Sequence, residues 1–136
     1  MIIFVDSDVI LDLLWHRSDW KATERLFVLA ENNQVDLVTS VNIVANVYYL
    51  LAKKANCSKA KKLIGELRKI FSIISISELD VDWALESKMA DFEDALQYSA
   101  AIRSKVNAFV TRNIKDYPKG KLSVVKPLEM ISLLTN

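Results

Sequence analysis

The chain carries short apolar runs separated by one or two helical stretches, and few architectures accept that pattern. Ile2-Ile3-Phe4-Val5 is β-branched and uninterrupted, and Leu37-Val38-Thr39, residues 72–76, 108–111 and 122–125 also read as strands. A run without polar interruption is buried on both faces. Strands joined through helices, and covered on both sides, predict a three-layer α/β/α fold with a central, mainly parallel sheet. Only Gly 2 and Pro 2 punctuate 136 residues, so loops are short and most of the chain is regular. No repeat or linker divides it, and residues 1–136 read as one domain.

Helical periodicity fills the intervals. A helix is expected from Asp8, with Val9, Leu11, Leu13 and Leu14 apolar. A second begins near Ser18 or Asp19, presents Trp20, Thr23, Phe27 and Ala30, and ends at Asn32-Asn33. Ser40 is an N-cap for residues 41–54. Residues 59–70 place Leu63, Ile64, Leu67 and Ile70 inward, and Cys57 falls in the preceding turn. Ser77 with Asp80 resembles a capping box opening residues 81–88. Residues 91–103 are helical, and Pro127 suits the first turn of a last helix.

Composition excludes several classes. A 51% hydrophobic content excludes disorder, and a net charge of +1 gives no global field for nucleic acid, so any RNA contact needs a local patch. One cysteine cannot form an internal disulfide, and His16 is the single histidine. No apolar run approaches the roughly 18 residues of a membrane span, and residues 2–5 are too short for a signal peptide. The expectation is a cytoplasmic protein with no membrane role.

In such folds ligands bind beyond the carboxyl ends of the strands. Asp6 closes the first strand, with Ser7 beside it; either residue could instead cap the following helix. Asp8 and Asp12 read as surface-facing acids. Asp94 lies in the first turn of its helix, in line with Tyr98 and Ala101, and so looks inward; Asp91 is a candidate N-cap and, with Glu93, is placed on the solvated side. The segment Thr111-Arg112-Asn113-Ile114-Lys115-Asp116-Tyr117 supplies a hydroxyl, a carboxamide and a carboxylate after a strand, and Arg112 and Lys115 offer charge for RNA phosphates. Carboxylates gathered at strand ends repel unless a cation sits between them. Oxygen ligands alone suit a hard divalent ion and phosphodiester hydrolysis. Asn42 and Asn46 share one face of their helix, either bonding a neighbouring loop or lining the same pocket.

Four segments together resemble a PIN domain of the VapC-type toxins. They are Phe4-Val5-Asp6-Ser7-Asp8-Val9-Ile10-Leu11-Asp12, the helix from Ser40 through Asn46-Val47-Tyr48-Tyr49, Asp91-Phe92-Glu93-Asp94-Ala95-Leu96-Gln97, and residues 111–117. The resemblance implies a metal-dependent endoribonuclease using Mg²⁺ or Mn²⁺, the toxin of a toxin–antitoxin pair. It implies Asp6, Asp94 and Asp116 as catalytic and metal-holding acids, Asn113 as a neutral ligand, and Thr111 as the hydroxyl orienting Asp6. It also implies an RNA substrate, a homodimer and an antitoxin partner. Asn46 stands where many such nucleases carry Glu, which removes one negative charge and weakens attraction for a cation. The alternative is therefore a PIN-like RNA- or protein-binding module with little hydrolysis. A receiver-like domain fits less well, because Lys115 lies within a loop. Trp15, Trp20, Tyr48 and Tyr49 are candidates for a protein interface, with Trp20 and Tyr48 also readable as core.

Overall fold

The computed structural model describes residues 1–135. Its centre strand is β1 (Ile2–Val5). On one side lie β2 (Asp36–Ser40) and β3 (Phe71–Ile74), on the other β4 (Ala108–Val110) and β5 (Ser123–Val125), in the order β3-β2-β1-β4-β5. Every neighbouring pair is parallel, so the sheet is wholly rather than mainly parallel. Three of the four connections carry two α-helices each, the β4–β5 connection carries only a 3-10 turn, and none is a hairpin. Phe4 is in register with Val38 on one side and Phe109 on the other.

The helices are α1 (Ser7–Leu14), α2 (Trp20–Glu31), α3 (Val41–Lys54), α4 (Cys57–Ile70), α5 (Glu78–Glu86), α6 (Phe92–Arg103) and α7 (Pro127–Leu134). Local chemistry sets most of their starts. Ser40 Oγ accepts the Ile43 amide at 3.2 Å, and Ser77 with Asp80 completes the capping box. Asp91 accepts the Asp94 amide at 2.9 Å, and Pro127 occupies the first turn of α7. Three helix starts lie earlier than expected because their caps do, and with Ser77 as cap α5 begins at Glu78 rather than at residue 81. Asp6 caps α1, so that helix begins at Ser7, and Asn56 accepts the Lys59 amide at 2.9 Å, which places exposed Cys57 inside α4 rather than in a turn. On α4, Leu63 is exposed, while Ile64, Leu67 and Ile70 pack against the core.

β1 is covered on both faces. Phe4 stacks on Phe109 with ring centroids 4.7 Å apart, and Tyr98 of α6 and Tyr117 pack on the same ring. Ile3 and Val5 point the other way and are equally buried. α5 packs chiefly on α6, whereas α1, α2, α3, α4 and α7 form the other group of helix contacts. Arg103 and Ser99 of α6 both bond to Asp80 of α5, and Arg103 Nη2 also reaches the Ser75 carbonyl at 2.8 Å. Trp20 and Tyr48 are half-buried and Tyr49 is exposed. Among the described residues, no helix is long and apolar enough to cross a membrane.

Candidate functional site

The parallel sheet sends the carboxyl ends of β1 and β4 to the same edge, and Asp6 and Thr111 follow directly from them. Asp6 is almost fully buried. Its Oδ1 accepts the Ser7 amide at 2.8 Å, which is the capping reading. Its Oδ2 accepts the Thr111 hydroxyl at 2.9 Å and the Tyr117 hydroxyl at 3.1 Å. One carboxyl therefore both caps α1 and holds the loop that follows β4.

Asp94, in the first turn of α6, lies near enough to Tyr117 for the two to shift each other's titration. Burial, then the charges of Asp6 and Asp94, push the Tyr117 phenol well above its usual range, so it stays a hydrogen-bond donor. Asp94 is pushed up to about 6 by burial, by Asp6 and by Asp91, with Asp116 adding to the repulsion. Asp6 is likewise raised, chiefly by burial and further by Asp91, against the three hydrogen bonds that favour its charged form. Asp91 is exposed and caps α6, as the helix pattern predicts, and its charge still raises Asp6 and Asp94.

Asp8 and Asp12 depart from their surface reading. The Asp8 carboxyl is pushed up to about 7 by burial and by neighbouring Asp6. Its Oδ2 accepts the Arg112 amide at 3.2 Å and the Asn113 side-chain amide at 3.3 Å, while Oδ1 is buried without a partner. Asp12 is 4% exposed and is bridged by Arg17 Nε at 3.2 Å and Arg112 Nη1 at 3.0 Å. Both are covered because the loop after β4 folds down over α1.

Asp116, at the end of a 3-10 turn (Ile114–Asp116), is exposed and lines a hollow of about 680 Å³ with Asp91, Asp94, Lys88 and Lys115. Asn113 is committed through its amide nitrogen to Asp8, and Arg112 to Asp12. Asn42 and Asn46 are exposed on α3 and neither lines this hollow. Of the sequence-predicted group, Asp6, Thr111 and Asp94 meet around Tyr117, and Asp116 stands in the wall beside them. Among the described residues, no three acidic, histidine or cysteine side chains already stand close enough to enclose an ion. The donor set nevertheless suits one: every candidate ligand is oxygen, the carboxyls repel one another, and one buried carboxylate oxygen lacks a partner. Tyr117 carried no signal in the sequence beyond following Asp116.

A PIN domain family profile matches residues 3–115. The chain belongs to the PIN domain family. Over 105 residues this PIN domain is 33% identical to ribonuclease VapC1 of Aquifex aeolicus (strain VF5), spanning 73% of this chain and 72% of that protein. Its fold is similar to VapBC-1 from nontypeable Haemophilus influenzae, with a TM-score of 0.70 at 18% identity, over 94% of this chain and 99% of that one. It is also similar to VapBC2 from Rickettsia felis bound to a DNA fragment from the promoter, with a TM-score of 0.68 at 18% identity, over 91% and 97%. The three-layer arrangement expected from the strand pattern is that of the PIN fold.

Proposed function

We propose that the chain is a divalent-metal-dependent endoribonuclease and the toxin of a toxin–antitoxin pair. The carrying observation is the buried Asp6 carboxyl, held by Thr111 and Tyr117 at the carboxyl edge of β1 and β4 with Asp94 near enough to be raised by its charge, in a family whose 33% identical relative is a ribonuclease. Asp6, Asp94 and Asp116 would hold Mg²⁺ or Mn²⁺, with Asn113 as a neutral ligand through its free carbonyl oxygen. Such an ion, when bound, lowers the pKa of a coordinated water and neutralises charge on the scissile phosphate.

The protein's own contribution is orientation. Thr111 and Tyr117 fix the Asp6 carboxylate by two donated hydrogen bonds, and the Ser7 amide holds its other oxygen. Asp91 closes the start of α6 and so sets the position of Asp94. Lys115, exposed in the hollow's wall, is placed to meet RNA phosphates. Purified protein given Mn²⁺ should cleave RNA, and Asp6→Asn or Asp94→Asn should reduce cleavage to background. Cleavage surviving both substitutions would overturn the assignment.

The exposed Asn46 favours a second reading, an RNA- or protein-binding module with weak hydrolysis, because α3 then supplies no charge to the site. Measurable turnover by wild type that disappears in Asp94→Asn decides for the enzyme. An antitoxin partner is consistent with the toxin–antitoxin complexes that share the fold, and exposed Tyr49 is consistent with a homodimer interface.

A further inference from the structure

A second hollow, of about 170 Å³, opens at the same edge of the sheet but outside the carboxylate cluster. Ser18, Asp19 and Thr23 wall it on one side, Asp12 below, and Arg112, Lys126 and Pro127 on the other. Two helices begin at it. The α2 start has Asp19 at its cap position with no side-chain hydrogen bond, and the α7 start has Lys126, which likewise makes none. The first-turn amides of Trp20 and Lys21, and of Leu128 and Glu129, lie at helix starts where no intrahelical acceptor exists. Both helix ends also present the positive pole of the dipole.

Helix starts alone would mean little, but Thr23 gives independent testimony. It is 1% exposed and its Oγ1 has no hydrogen-bond partner. A buried hydroxyl left unpaired is costly, and this one is a donor without an acceptor from the protein. The charges in the walls are unequal in effect. Asp12 is already neutralised by Arg17 and by both contacts of Arg112 Nη1, at 3.0 and 3.1 Å. Arg112 Nη1 also reaches Ser18 Oγ at 3.3 Å, which holds the guanidinium at the wall. Lys126 is exposed and makes no ion pair among the described residues, and exposed Asp19 is the one acid left to oppose an anion.

From this geometry we infer that the hollow is a phosphate subsite, taking a phosphate of the RNA strand near the bond to be cut. The inference rests on the ribonuclease reading for the identity of the phosphate, though not for the existence of the site. Lys126 directly follows β5, and Arg112 directly follows Thr111, whose hydroxyl orients Asp6. A phosphate held at Lys126 would therefore lie on the same edge of the sheet as the carboxylates. Phosphate contacts position a nucleic acid without reading its sequence.

The test uses the full chain, isotope-labelled and free of divalent metal so that no cleavage intervenes. It is titrated first with inorganic phosphate and then with a short single-stranded oligoribonucleotide, in wild type, Thr23→Val and Lys126→Gln. Inorganic phosphate should shift the amides of Lys21 and Leu128 saturably, and both substitutions should weaken that response. Each should also weaken RNA binding by about tenfold, the loss of one charge-assisted hydrogen bond. Lys126→Gln should flatten the dependence of log affinity on log salt by about 0.7, as expected for one single-strand phosphate contact. Wild type that binds RNA while phosphate and both variants leave those amides and the affinity unchanged overturns the subsite alone. Saturable phosphate binding with no RNA affinity in any variant overturns the RNA assignment of the subsite, and the ribonuclease reading falls with it only if the Mn²⁺-loaded protein also leaves RNA uncut.

Discussion

Tyr117 donates its one hydroxyl proton to Asp6, and its removal separates geometry from charge. In Tyr117→Phe the ring keeps its packing on Phe109 while Asp6 loses one of its two hydroxyl donors. Supporting hydrogen bonds of this kind are worth about ten- to a hundredfold in metal affinity or activity. Steady-state cleavage by Tyr117→Phe and by Thr111→Val should fall in that range with the fold intact. Asp8 gives the opposite sign. Its charge is buried beside Asp6, with one oxygen unpaired. Asp8→Asn should therefore raise the thermal midpoint of the metal-free protein at pH 8. These residues also mark where sequence reading stops. Asp6, Thr111 and Asp94 are legible because each ends a strand or starts a helix. The burial of Asp8 and Asp12 is not, because a loop about a hundred positions further along covers them.

At the scale of elements, the α5–α6 pair depends on one buried carboxylate. Burial alone would raise Asp80, but Arg103, the Ser77 amide and Ser99 together hold it below the usual carboxylate range. Asp80→Asn should destabilise the protein by about 2 kcal/mol, read by denaturant melts, because charge-assisted bonds to Arg103 are lost. Gly65 lies inside α4, and a Cβ there would meet nothing within 4 Å. Gly65→Ala should therefore stabilise by about 0.5–1 kcal/mol. Strands and caps were legible at this scale, since Ser40, Ser77 with Asp80, and Pro127 act locally. The extra turn at the start of α4 and the exposed Leu63 were not. An amphipathic stripe reports which residues prefer burial, not how wide a surface the neighbouring elements offer.

For the whole molecule, titration couples the site to stability. Asp94 is pushed up to about 6 and Asp8 to about 7, both from 3.8, so the folded chain binds protons that the unfolded chain has released. Their favourable contribution is complete below about pH 4 and is lost as pH rises through 6 and 7. Asp80 works the other way, but its contribution is lost only on acidification below that window. Thermal melts in a chelator should give a higher midpoint at pH 5 than at pH 8. Adding Mn²⁺ at pH 8 should restore much of the difference, since a ligand that binds only the folded form stabilises it.

The centre of the sheet joins β1, at residues 2–5, to β4, at residues 108–110. Asp6 therefore leaves the ribosome long before Thr111 and Tyr117 exist to clasp it. A chain still being translated has its acids scattered, and the reactive constellation closes only when the last quarter of the polypeptide docks. On the toxin reading proposed above, that delay would separate synthesis from competence.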